Sequence, residues 1–213
     1  MTGKERIRRL FAGEETDRMG FWLGEPIPET LEIYYRYFGA VNRTELALKL
    51  NEDLVWKPFD FAWRSPDGRP MFDVFNGGSH MYDSQERIFT NCESVDEIAN
   101  ARWPNPAALD FDLLEKTIGD INDTGMALFG GMWSCFFHVV SDHFGMEEYF
   151  VKMYTNPEVV LEVTRRVVEF YLKSNRLIFE RFAHKMDAFF MGNDFGTQLC
   201  LLIDPEMFRK FVL

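Results

Sequence analysis

The chain has little cysteine, little positive charge and no long apolar run, and each shortage closes off a class of protein. Cys92, Cys135 and Cys200 are its three cysteines, odd in number, widely spaced and without a CxxC pair. That pattern suits reduced thiols, each a small buried hydrophobe, better than a disulfide framework or a zinc knuckle. Lys and Arg number 23 against 34 acids, for a net charge of −11. A field of that sign disfavours nucleic acid and anionic membrane, and no Lys/Arg cluster interleaved with aromatics offsets it. No apolar stretch approaches the roughly 20 residues that cross a bilayer, and Met1 to Arg9 is polar and basic rather than a secretory signal. The expectation is a cytoplasmic protein that binds neither nucleic acid nor membrane.

What is present is core material: 46% hydrophobic residues, 22 of them Phe, in 213 residues, enough for one sizeable domain. No composition shift marks a boundary, and there is no repeat or low-complexity segment. The chain opens with a helix over Lys4 to Phe11, stopped by Gly13, and a strand is expected at Met19 to Leu23. Gly24-Glu25-Pro26-Ile27-Pro28 is a rigid turn that presents Glu25 before an aromatic helix over Glu29 to Phe38, where Tyr34, Tyr35 and Tyr37 read as helix surface. Asp53 to Phe59 is the next strand. Residues 60–91, with Pro66-Asp67-Gly68 and Gly77-Gly78, suggest a hairpin-containing insertion.

Ser94 followed by Glu97 forms a capping box for a helix to Ala101, and Trp103-Pro104-Asn105-Pro106 ends it. Phe111 to Ile118 is helical, Met126 to Met132 a strand, and Gly145 to Tyr154 and Pro157 to Ala183 helices, the last patterned by Val160, Val163, Val167, Tyr171, Ile178 and Phe182. Ala188-Phe189-Phe190-Met191 is short and continuously apolar, as a parallel strand buried on both faces would be. Strands alternating with helices imply βα units and a TIM (β/α)8-type α/β fold. Four units are counted where a closed barrel takes eight, so the expectation is a single partial barrel domain over residues 1–213.

In such a fold, chemistry sits at the C-terminal ends of the strands. The most informative stretch is Met191-Gly192-Asn193-Asp194-Phe195-Gly196-Thr197-Gln198, which brings an amide and a carboxylate out of a strand, with Asp204-Pro205 as a helix start after it. Asn193, Asp194 and Glu25 are the candidate catalytic residues. A carboxylate there serves as a general base or holds a substrate amine or hydroxyl. Lys57 and Asp60 follow the second strand and Met132 and Trp133 the third; with Trp22 and Gln198 these are the candidate substrate-binding residues, Met132, Trp133 and Trp22 as an apolar wall. The competing readings are that Asp194 only ties down its loop and that Trp and Met only pack the core. His80, His138, His143 and His184 are scattered; His138 and His143 make a ligand pair only if their segment is helical, and no metal site is assigned.

On these residues the chain resembles the uroporphyrinogen decarboxylase superfamily, which includes cobalamin-dependent methyltransferases acting on methylated corrinoid proteins. Arg9-Leu10-Phe11-Ala12-Gly13-Glu14-Glu15-Thr16-Asp17-Arg18 is similar to the family's opening helix and turn. Asp53-Leu54-Val55-Trp56 and Trp103-Pro104-Asn105-Pro106 resemble segments of the methyltransferase-like branch. Gly192 to Gln198 with Asp204-Pro205-Glu206-Met207-Phe208 resembles the family's most specific signature, glycine, acid, glycine, threonine, glutamine, and the helix behind it. The resemblance implies corrinoid-dependent methyl transfer to a thiol or from a small methylated substrate, with a corrinoid protein or small molecule as partner and methylcobalamin as a possible cofactor.

Two departures qualify it. An arginine-rich turn that grips carboxylates in the decarboxylases is replaced by Leu23-Gly24-Glu25-Pro26-Ile27-Pro28, so tetrapyrrole decarboxylation is the weaker alternative. The zinc that the resemblance implies would be held by histidine and cysteines of a C-terminal half, and those ligands are not in this chain. A third alternative is a non-catalytic, truncated homologue that pairs its open half-sheet in a homodimer.

Overall fold

The computed structural model describes residues 1–68, 71–72 and 87–213. In chain order the helices are α1 (Gly3–Phe11), α2 (Pro28–Phe38), α3 (Arg43–Leu50), α4 (Val95–Asn100), α5 (Phe111–Asn122), α6 (Phe136–Phe144), α7 (Met146–Thr155), α8 (Pro157–Phe182) and α9 (Pro205–Phe211). The strands are β1 (Leu54–Trp56), β2 (Ala127–Gly130) and β3 (Ala188–Phe189), with single 3-10 turns at Phe59–Ala62 and Ala183–Lys185. The strands form one parallel sheet in the order β1-β2-β3. Leu54, Val55 and Trp56 lie opposite Ala127, Leu128 and Phe129, and Phe129 and Gly130 opposite Ala188 and Phe189. Parallel strands need helical crossovers, here α4–α5 and α6–α8. A mixed α/β fold with a small parallel sheet is therefore present, and no closed barrel is seen among the described residues.

The chain divides into two compact units. The first comprises Met1–Phe59, Phe111–Gly131 and Ile178–Phe190 and contains the sheet; the second comprises Asp60–Asp110, Met132–Leu177 and Met191–Leu213. Caps set the helix starts in both. Thr2 accepts from the Glu5 amide at 3.1 Å, and Asn42 from the Glu45 amide at 2.9 Å. The expected Ser94–Glu97 capping box is complete, and Asp204 accepts from the Glu206 amide at 2.7 Å ahead of Pro205. Helix α3 escaped the sequence reading because its apolar pattern is broken: Leu46 and Ala47 are buried while Leu48 is half exposed. In the first unit, a side chain at Gly130 would meet Met186 Sδ at 2.6 Å and Phe59 Cζ at 2.7 Å, so only glycine fits the end of β2.

Three expectations are corrected. Met19 to Leu23 forms no strand: the Phe21 carbonyl accepts from the Asp53 amide at 2.8 Å, but the Phe21 amide turns to the Asp53 carboxylate at 2.7 Å. A side chain thus takes the place of a ladder carbonyl and the pairing stops. The segment Ala188 to Met191 is not buried on both faces; only Ala188 and Phe189 pair, and Phe189, Phe190 and Met191 are about two-fifths exposed or more. An apolar run records a preference for burial, and β3 pairs only with β2 among the described residues. Cys92 and Cys135 are buried as expected, but Cys200 is exposed. Most of the expected hairpin insertion, and His80 within it, lies outside the described residues. No helix among the described residues is long and apolar enough to cross a membrane.

Candidate functional site

In the second unit, polar contacts concentrate on the segment between β2 and α6. Met132 is fully buried and its amide donates to Asn175 Oδ1 at 2.8 Å; Asn175 Nδ2 donates in turn to Ser134 Oγ at 3.0 Å, and Ser134 Oγ donates to the Met132 carbonyl at 2.9 Å. These bonds hold Ser134 in the left-handed region at φ 57°, a conformation that costs a non-glycine residue about 1–2 kcal/mol. The neighbouring Trp133 amide donates to Asp60 Oδ2 at 2.9 Å, while the Trp133 side chain remains two-fifths exposed.

The segment after β3 docks on the same turn. Asn193 Oδ1 accepts from the Phe137 amide at 2.9 Å and Asn193 Nδ2 reaches the Ser134 carbonyl at 3.4 Å. The Asp194 amide donates to His138 Nε2 at 2.9 Å, and its carboxylate, highly exposed, lies 3.8 Å from the same nitrogen. Because Nε2 accepts, the neutral ring carries its proton on Nδ1, and that buried atom has no partner among the described residues. Phe195 packs edge-on between Phe137 and Phe208, at 5.2 and 4.9 Å, which joins the docked segment to α6 and α9.

Burial raises the Asp60 carboxyl above its ordinary range, opposed by the bond from the Trp133 amide. It pushes the Cys135 thiol up to about 12, with the Asp60 charge adding to the shift. Tyr171, on α8, is also raised by burial and by the charges of Cys135 and Asp60, and shares a hydrogen bond with the Cys135 thiol. Asp60, Cys135 and Tyr171 thus favour their protonated forms together. His138 moves the other way, its imidazolium disfavoured by burial and only partly supported by Asp194. Asp60, Cys135 and Tyr171 keep their protons more firmly than free side chains do, in the unit that also carries the exposed Trp133 indole and the exposed Asp194 carboxylate.

Asp60 and Asn193 bond to the turn that carries Met132 and Trp133, and Asp194 bonds to His138 on α6. Gln198 is exposed nearby in sequence. In the first unit, Glu25 and Lys57 line a groove with Arg43, and Trp22 packs on Trp56 and Phe190 with ring centroids 6.4 Å away in each case. Burial raises the Glu25 carboxyl, against the pull of Arg43. Although α6 makes the His138–His143 segment helical, five residues of helix turn the two rings apart, and His143 is buried with Nδ1 2.6 Å from the Val139 carbonyl. Sequence reasoning missed Ser134, Asn175 and Tyr171. One signal was available: Asn175 interrupts the apolar stripe of α8 between Tyr171 and Ile178.

No protein-family model and no curated protein sequence matches the chain. Among solved structures, a methyltransferase from Methanosarcina mazei is similar over 100% of this chain, with a TM-score of 0.52 at 15% sequence identity. The chain spans 64% of that protein's length. At this identity the likeness is one of fold.

Proposed function

We propose that the chain belongs to a methyltransferase barrel of the uroporphyrinogen decarboxylase type and takes part in methyl transfer between a methylated corrinoid and a thiol or small methylated compound. What supports this reading is that the fold likeness to a methyltransferase runs the whole length of the chain. The polar turn after β2 and the segment after β3 then fall where such barrels keep their chemistry.

The methylated corrinoid is read as a substrate. The exposed Trp133 ring offers it an apolar contact. Asp194, the exposed carboxylate held by its own amide on His138, takes the proton of the acceptor thiol as sulfur bonds to the methyl carbon and the corrinoid keeps the electron pair of the broken bond. Asp60 holds the Trp133 backbone in place. Zinc, which the resemblance implies, is not accommodated by the described residues: no group of three His, Cys, Asp or Glu stands close enough to hold it.

The test is methylcobalamin demethylation by a thiol, followed by the change in the corrinoid spectrum, with the purified chain at known native mass. Protein-dependent turnover that drops at least tenfold in Asp194→Asn, about 1.4 kcal/mol in the activation barrier, supports the reading. Turnover no faster than the protein-free control, with and without added zinc, overturns it.

A further inference from the structure

We infer that the outer face of α2 is an interface between two copies of this chain, a two-fold pair in which α2 runs antiparallel to its counterpart. The pairing stands apart from the methyl-transfer reading and uses a helix rather than the open edge of the sheet. Helix α2, in the first unit, has eleven residues, none of them buried. A helix shorter than about 12–15 residues is marginal in water unless packing supports it. Leu31, Tyr34 and Tyr35, toward one side, are half-buried, and α2 packs against α3. The opposite side is open: Ile33 is 57% exposed and Tyr37 81%, and Ile27 and Val41, which flank the helix, are largely exposed too.

The order of charges along this face selects a second copy as its occupant. Glu29, Ile33, Arg36 and Tyr37 share the open face of the helix. At 3.6 residues per turn, Glu29 and Arg36 fall to one side of Ile33, and Thr30 and Tyr37 to the other. Neither Glu29 nor Arg36 has an ion-pair partner among the described residues; Arg36 Nε donates to the Glu32 carbonyl at 3.3 Å.

A two-fold axis beside Ile33 that reverses the direction of α2 keeps each side of the face on its own side. Ile33 then meets its own copy at the centre. Glu29 comes to within one residue step, about 1.5 Å along the helix, of the partner's Arg36, and Tyr37 to within one step of the partner's Thr30. The face is complementary to itself: two Glu–Arg pairs lie on one side, two Tyr–Thr pairs on the other, and an apolar contact lies between them. A parallel pair instead sets Glu29 against Glu29 and Arg36 against Arg36, which repel. Helix α2 is about 16 Å long, so the interface falls at the small end of specific ones, below roughly 1,200 Å² in total. The dimer is therefore weak, with a Kd of about 1–100 µM.

Sedimentation equilibrium of the 213-residue chain at low salt should show monomer and dimer exchanging across that concentration range. Ile33→Glu should weaken association at least tenfold. Glu29→Arg and Arg36→Glu each bring like charges together twice, and each should weaken association by about tenfold. An equimolar mixture of these two variants carries opposite charges on facing helices, and should associate within about threefold of the wild type. All three residues are exposed, so the variants should fold, and far-ultraviolet circular dichroism checks each. A chain that stays monomeric up to about 1 mM overturns the inference, the α2 face then serving a different protein. So does a dimer indifferent to Ile33→Glu, which uses another surface, or a failure of mixing to restore what the single charge variants lose. None of these outcomes depends on methylcobalamin turnover.

Discussion

Asn193 bridges two parts of the second unit that lie far apart in sequence: its Oδ1 accepts from the amide of Phe137, 56 residues away, at 2.9 Å. Its Nδ2 returns a weaker bond to the Ser134 carbonyl at 3.4 Å. The amide of Phe137 stands in the first turn of α6, where helix geometry provides no internal acceptor, so Asn193 supplies from a distance what a cap would supply locally.

Asn193→Ala should therefore lower stability by about 1–2 kcal/mol, the cost of one lost hydrogen bond and one orphaned amide. Urea denaturation measures it. A change below about 0.3 kcal/mol would mean that water replaces the side chain at no cost and that Asn193 is free for another role.

Asp53 is the most heavily used carboxylate of the first unit. It is buried and accepts from Arg6, from Arg18 at 2.5 and 2.9 Å, and from the Phe21 amide at 2.7 Å. Asp53→Ala leaves the buried Arg6 guanidinium with the half-exposed Asp17 carboxylate and the Met1 carbonyl, and should destabilise the fold by about 3–5 kcal/mol. Arg18→Ala should cost far less, because Arg18 is two-fifths exposed and its loss leaves Asp53 paired with Arg6. Thermal unfolding of the two variants distinguishes a hub from two equal ion pairs.

Two groups on α6 should give stability opposite dependences on pH. Burial raises Asp142 from 3.8 to about 6 against the attraction of Arg87, so the folded protein binds that proton more tightly than the unfolded chain. Its contribution is largest below about pH 4 and is lost as pH rises through about 6. Asp142→Asn should stabilise the protein at neutral pH by on the order of 1 kcal/mol, reduced for solvent screening, and change nothing near pH 4.

Burial lowers His138, so the folded protein prefers the neutral ring. That contribution is intact above the ordinary histidine value of 6.5 and is lost as pH falls through it. Protonation also removes the acceptor of the Asp194 amide. The amide resonance of Asp194 should shift with the His138 titration; a shift that follows no single group, or none at all, would rule out the assigned bond.

The thiols should separate by rate. Cys200 is exposed, with Sγ 3.6 Å from Thr197 Oγ1, while Cys92 and Cys135 are buried and both are raised by burial. An aromatic disulfide reagent should modify one thiol quickly and the other two only on unfolding, and Cys200→Ser should abolish the fast phase. Two fast thiols in the native protein would contradict the burial of Cys92 or Cys135.

Much of the local architecture was legible in the residues. Caps and stops act across two to four residues, so Ser94 with Glu97, Asp204 before Pro205, and Gly13 at φ 71° behind α1 announce their helix ends. The strands at Leu54 and Ala127 were legible because apolar runs bounded by turns have few other uses. The interruption of the β1 ladder at Phe21 was not, because it depends on a carboxylate displacing a carbonyl.

What the sequence by itself determined is the class of element over most of the chain, its net charge of −11, and the placing of polar residues after strands. What only the tertiary structure decided is which of those residues meet: Asn175 with Met132 and Ser134 from 43 and 41 residues away, and Asp194 with His138 from 56. It also decided that Asp60 is buried enough to favour its proton while Asp194 stays exposed. The reason is physical. Capping and periodicity are properties of a few adjacent residues, whereas a carboxyl's desolvation and a distant amide's partner are set by whatever other elements pack around them.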